Sequence, residues 1–395
     1  MRNIIPITLI SAIIRFFIIL KISIISPVNL GYYTLINTLL ITIFQIAQFD
    51  GIYLTINKII SYKKLLQYSK FTNSIYILIS IVALSYLYFN QLKIAFILTL
   101  VTILINYSAW LVDLSTIIER QKNNKEGELI FKKNVIFQII ITRVVIPLII
   151  LGFLNFNILE SNLYFNISAV ILIFSNLYIS IKNIKLINLR DVSKELITRI
   201  VYFFKPLLIR KLNRVLFIPI LFYILGPEEI GLLQPSISLA KLSTFFTPDI
   251  FRLKYIDIFL KNKITNIINY TFLSQIIYFL SPLIIYPFIF LFDIRESFPS
   301  LLNLLILTIY YGNYNNKAIL RALYQKKGYI ELPFYEQLIG LVFKLLCIPI
   351  FMIMGPTNLG NSSYLLLLLI PEYFQTIIFL IYMRNKFPNN EDLIN

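Results

Sequence analysis

The sequence predicts an all-α membrane protein. About twelve transmembrane helices are expected, in two six-helix lobes related by a pseudo-two-fold axis along the membrane normal. Both termini are expected in the cytoplasm, with residues 1–190 forming the N-terminal lobe and 191–395 the C-terminal lobe. Three observations predict this: the apolar composition, the alternation of charge between successive loops, and an internal repeat. Of the 395 residues, 58% are hydrophobic and only 14% charged, and the mean hydropathy is +0.78. Soluble domains run nearer about 45–50% apolar and about 25% charged, so water is not the expected solvent for most of this surface.

Taken in order, apolar stretches long enough to cross a bilayer lie near 4–25, 32–56, 72–89, 94–118, 134–155 and 162–181. A second group lies near 200–225, 231–251, 266–291, 300–320, 333–354 and 362–383. A membrane β-barrel would show alternating segments of about 10 residues instead. The first stretch follows Arg2 as a signal peptide would. It has no small-residue cleavage site, and Arg15 and Lys21 interrupt it, so a retained first helix is expected.

The connections carry the orientation. The even-numbered ones hold Lys58, Lys63, Lys64 and Lys70, then Arg120, Lys122, Lys125, Lys132 and Lys133, then Lys182, Lys185, Arg190, Lys194 and Arg199. Arg252, Lys254, Lys261 and Lys263 follow, then Arg321, Lys326 and Lys327, and the tail has Arg384 and Lys386. The odd-numbered ones hold only Lys93 and Arg295, beside Glu160, Glu228, Glu229, Asp293 and Glu296. Cations collect on the cytoplasmic side, which fixes the topology. This distribution also turns the net charge of +17 away from nucleic acid, which would need a basic groove rather than basic loops.

The repeat is short but placed alike in both halves. Ser26-Pro27-Val28-Asn29-Leu30-Gly31 closes the first span and Gly226-Pro227-Glu228-Glu229-Ile230-Gly231 closes the seventh, about 200 residues later. Arg15 is echoed by Arg214 and Asp50 by Asp249. A Pro that ends one helix and a Gly that opens a bend also make ordinary turn chemistry. The charged segment around 183–199 divides the halves and suits a short amphipathic surface helix.

The composition excludes several chemistries. One cysteine, no histidine and one tryptophan leave no disulfide framework, no Cys/His metal site and no His-based catalysis, so neither a cofactor nor a catalytic set is expected. What the spans do contain is cations. Arg15 and Lys21 fall in span one, Arg143 in span five, and Lys205, Arg210, Lys211 and Arg214 in span seven. Lys241, Lys317 and Lys344 follow in spans eight, ten and eleven. A cation at the bilayer centre costs about 2.5–3.5 kcal/mol even on insertion scales, and only those near a helix end, such as Lys205, escape by snorkelling. Helical geometry puts Arg210, Lys211 and Arg214 on one face about 100° wide.

Two readings follow. In one, the cations make structural ion pairs with Asp50, Asp113, Asp249, Glu336 and Glu372; Lys344, two turns from Glu336, suits this best. In the other, Arg15, Lys21, Arg143, Arg210, Lys211, Arg214 and Lys317 line a cationic cavity for a negatively charged substrate. Asp50 and Asp113 are then the candidates for ion coupling, because a desolvated carboxylate can carry a proton or hold Na⁺. Two uncharged features suit a hydrated interior. Span two carries Asn37, Thr38, Thr42, Gln45 and Gln48 broadly along one side, with interhelical hydrogen bonding as the alternative. Span ten carries the run Tyr310 to Lys317, expected as a broken helix at a cavity. Its Tyr and Asn side chains also suit sugars.

The stretch from Arg15-Phe16-Phe17 through Ser26 to Tyr33, followed by Gln45-Ile46-Ala47-Gln48-Phe49-Asp50-Gly51, resembles polysaccharide flippases. These belong to the multidrug/oligosaccharidyl-lipid/polysaccharide exporter superfamily and include the O-antigen transporters. Phe222 to Gly231 is similar to the second-half pattern, and length, span count and layout extend the resemblance over the whole chain. It implies a V-shaped pair of lobes around a cationic cavity. In it a polyprenyl-diphosphate-linked oligosaccharide turns from the cytoplasmic to the periplasmic leaflet of a bacterial inner membrane, driven by an ion gradient. Arg15, Arg210 and Arg214 would line that cavity. Membrane lipids, a polysaccharide polymerase and glycosyltransferases are the expected functional neighbours. The chain departs from the family in being short and in placing Asp50 where apolar residues or glycine are common.

The rivals fit less well. A major-facilitator carrier would show a Gly…Asp-Arg-x-Gly-Arg-Arg loop where this chain reads Asn57-Lys58-Ile59-Ile60-Ser61-Tyr62-Lys63-Lys64. A drug exporter selects cations. A membrane polymerase or glycosyltransferase needs a long outer loop, and every outer connection here is under about 12 residues.

Overall fold

The computed structural model describes residues 4–47, 62–103, 106, 148, 209, 212–213, 215–245, 275–280, 282–283, 301–326, 332–358 and 361–386. Among these the regular structure is all α-helical. The chain divides into two compact units, Met1–Lys211 and Leu212–Asn395. The boundary expected near residue 190 lies outside the described residues.

In the first unit, α1 (Ile4–Ile25) and α2 (Pro27–Ala47) are separated by Ser26 alone. Pro27 sits at the first position of α2, where its missing N–H costs nothing and its fixed φ already suits a helix. The Ser26 hydroxyl accepts from Asn29 Nδ2 at 2.7 Å. Asn29 Oδ1 in turn accepts the backbone N–H of Ala95 at 3.3 Å, a donor in the first turn of a later helix that would otherwise lack a partner. The repeat motif thus ties the α1–α2 corner to a distant helix start.

Helix α3 (Tyr62–Phe89) ends in a three-residue turn before α4 (Lys93–Ile103). Gln91 takes the left-handed conformation at φ 57°. Leu92 N–H bonds Leu87 O at 3.0 Å and Gln91 N–H bonds Tyr88 O at 3.0 Å, the paired closure of a Schellman end. The unit's interior is aliphatic and aromatic: Ile36, Leu40 and Phe44 of α2 meet Tyr76, Ile77, Leu84 and Leu87 of α3 and Phe96 and Leu100 of α4. Ile18 and Ile22 of α1 pack on Leu30, Ile94 and Leu98.

In the second unit, α5 (Phe217–Phe245) is broken at Gly226, whose φ 82° and ψ 172° are open to glycine but not to side chains with a Cβ. Pro227 then starts the second half of the helix. The two corners matched in the sequence, at 26–27 and 226–227, are therefore both helix breaks with Pro resuming the helix. Helices α6 (Leu301–Lys326), α7 (Leu332–Asn358) and α8 (Asn361–Lys386) complete the unit. Helix α5 packs on α6, α6 on α8, and α7 on α8, with α5 also touching α7.

The segment 310–317 differs from expectation: α6 runs unbroken through it. Gly312 is there for close approach instead. A Cβ at that position would overlap Cδ2 and Cγ of the buried Tyr278 ring and come within 2.7 Å of its Cε2.

Two of the described helices contain segments long and apolar enough to cross a membrane, Pro27–Phe44 and Phe217–Lys241. Shorter apolar helical segments lie at Ser74–Phe89, Lys93–Ile103, Leu301–Asn313 and Tyr364–Ile378.

Candidate functional site

The second unit holds a buried polar network among its helices. Lys344, on the inner side of α7 and 1% exposed, pairs with Glu372 of α8, 3% exposed, at 2.5 Å. Its ammonium also donates to the backbone carbonyl of Asn213 at 2.9 Å. The Tyr310 ring of α6 covers the ammonium at 5.9 Å and stacks on Phe217 at 4.7 Å. A buried cation with a carboxylate, a carbonyl and an aromatic face around it meets the condition under which charge survives away from water.

Amides and hydroxyls extend this centre. Asn213 Nδ2 donates to Gln337 Oε1 at 3.1 Å. Gln375 Nε2 donates to the Glu336 carbonyl at 2.5 Å and to Glu336 Oε1 at 3.0 Å. Asn313 Nδ2 donates to the Glu372 carbonyl at 3.1 Å. The Thr376 hydroxyl shares its proton between that carbonyl at 2.9 Å and Asn313 Oδ1 at 3.1 Å. Asn213 Oδ1 and Gln337 Nε2 are buried with no hydrogen-bond partner among the described residues. Gly340 makes room for the network: a Cβ there would collide with Gln375 Oε1 and lie 2.6 Å from its Cδ and 2.9 Å from Asn213 Nδ2.

The first unit has a smaller polar seam. Tyr33 OH is 3.2 Å from Thr102 Oγ1 and accepts from Asn37 Nδ2 at 3.3 Å. Arg15 lies within electrostatic range of that phenol. The threonines of α2 do not bridge helices through these hydroxyl bonds. Thr34, Thr38 and Thr42 donate to the carbonyls of Leu30, Thr34 and Thr38 at 2.8, 2.7 and 2.8 Å. That back-bonding satisfies each hydroxyl on its own helix.

Of the cations expected to line a cavity, Arg15 is exposed and Lys21 half-buried, both on α1. Lys317 is on α6, with its side chain outside the described residues. Arg143, Arg210, Lys211 and Arg214 lie outside them, as do the coupling candidates Asp50 and Asp113 and the polar Gln48. Lys241 is exposed, 5.1 Å from the centre of the Tyr311 ring. The acid that pairs with Lys344 is Glu372 rather than Glu336. Sequence reasoning passed over Asn213, Gln337, Gln375 and Thr376. Their signal was the same as that of the acids, a polar residue inside an apolar run.

Comparison with family models, with curated proteins and with solved structures finds no match to this chain.

Proposed function

We propose that the chain is a multi-pass bacterial inner-membrane flippase. In this reading about twelve spans form two six-helix lobes, and the protein turns a polyprenyl-diphosphate-linked oligosaccharide, such as an O-antigen or capsule repeat unit, toward the periplasm by alternating access. One observation carries it: basic residues outnumber acids inside the apolar stretches, with Arg15, Arg143, Arg210, Lys211 and Arg214 among them. A diphosphate is the kind of ligand that would offset such an excess. The resemblance of the 15–33 and 222–231 stretches to polysaccharide flippases supports the cargo.

The polarity of the described residues supports the membrane setting. Ile353 is 85% exposed, Phe89 79% and Val82 69%, while Lys344, Glu336 and Glu372 are buried. A soluble protein reverses that arrangement. Lys344 follows the ion-pair reading and stays outside the proposed substrate set.

Deletion in the native bacterium tests the function. Lipid-linked repeat units accumulating on the cytoplasmic side are expected, and normal surface polysaccharide would refute flipping. Arg214→Ala should abolish transport at unchanged protein level; loss of the folded protein would favour structural pairing for Arg214 as well.

A further inference from the structure

The Lys344 centre has the composition of a cation-binding site. Its oxygens are a carboxylate (Glu372) and a backbone carbonyl (Asn213), from two different segments, and an aromatic ring from a third closes it. A carboxylate and a main-chain carbonyl are oxygens that can also take a monovalent cation out of water. Here the ion is an ammonium fixed to α7.

We propose that Lys344 is a tethered replacement for an exchangeable monovalent cation, so that α7, α8 and the segment at Asn213 are clamped by a charge the chain supplies itself. The clamp needs no sodium or potassium from solution. Shortening the side chain should turn the same oxygens into a binding site for small ammonium ions. The inference concerns the interior of the second unit and stands apart from the flippase reading.

Chemical rescue tests it on the full-length protein in detergent. Thermal unfolding can be followed by labelling the sole thiol, Cys347, which is half-buried in α7. The wild-type midpoint should be the same in sodium, potassium and N-methylglucamine chloride at equal ionic strength. Lys344→Ala, prepared with n-propylammonium present, should lose several degrees when that ion is dialysed away. The loss should be regained, with a saturating dose response, on adding the ion back. Propylammonium restores the missing stem and its charge, whereas the neutral n-propanol should do nothing.

Lys344→Ala/Glu372→Gln should be more stable than Lys344→Ala in the absence of ligand, because the buried carboxylate that loses its ammonium is replaced by a neutral amide, and should ignore propylammonium. Four outcomes would overturn the proposal. They are equal rescue by propanol, no rescue at all (including failure to recover folded Lys344→Ala with propylammonium), a double variant no better than the single one, and sodium-specific stabilisation of the wild type.

Discussion

Gly340→Ala gives the sharpest test of the packing around the buried pair, because two effects of opposite sign meet there. In the middle of an exposed helix the change would be favourable by about 1 kcal/mol, since alanine is the better helix former. At Gly340 the added methyl would collide with the Gln375 amide and press on Asn213 Nδ2, 2.9 Å away. Gln375 has a flexible stem and could swing aside, but its Nε2 would then release the Glu336 carbonyl and carboxylate, now held at 2.5 and 3.0 Å. Overpacking costs about 1–3 kcal/mol, and the loss of the buried Gln375 amide's bonds about 1–3 kcal/mol more. The unfavourable side exceeds the helix gain, giving a net loss of about 1–5 kcal/mol. The assay is the Cys347-labelling midpoint of the purified protein. Gly340→Ala should unfold well below the wild type, and pairing it with Gln375→Ala should recover part of the loss by emptying the space the methyl needs. A midpoint equal to or above the wild type would refute the tight approach of α7 and α8.

Three further outcomes are expected. Gly226→Ala should lower stability by about 1–3 kcal/mol through backbone conformation alone, because no atom lies within 4 Å of the position a Cβ would take; the same midpoint measurement decides it. Gln91→Gly should raise stability by about 1 kcal/mol in chemical or thermal unfolding, by relieving the left-handed residue at the end of α3. In whole cells of a variant with Cys347 replaced by Ser, a membrane-impermeant maleimide should label Gln91→Cys and spare Lys64→Cys. The reverse pattern would overturn the orientation drawn from loop charge.

Much of the helical layout was legible because it depends on features a single sequence displays. An apolar run has a length that can be compared with a bilayer, and Ile4–Ile25, Leu301–Lys326, Leu332–Asn358 and Asn361–Lys386 fall within a few residues of where such runs lie. The corners at 26–27 and 226–227 were legible because Pro and Gly act locally: one cannot donate a hydrogen bond, and the other alone accepts φ 82° at ψ 172° without strain.

The interior chemistry is different in kind, since it is decided by which helices meet. Glu336 lies eight residues before Lys344 on α7, about 12 Å along the axis, too far for direct pairing without both side chains fully stretched. Glu372 arrives on another helix, and nothing within α7 announces it. Gly312 shows the same limit. Read locally it was a break in α6, whereas its use is to admit Tyr278 from another segment.

The threonines of α2 show how a polar residue can be served locally. A threonine hydroxyl inside a helix can bond the carbonyl four residues back, as those of Thr38 and Thr42 do. That leaves the cationic excess in the apolar stretches as the feature that still demands a ligand. Lys344 shows what the alternative looks like: a paired cation comes with a carboxylate and a carbonyl within hydrogen-bonding distance. Any of Arg143, Arg210, Lys211 and Arg214 without such company has to find its counter-charge in the substrate, and replacing each in turn by a neutral residue separates the two groups. Loss of fold marks a pair, and loss of transport with the fold intact marks a binding residue.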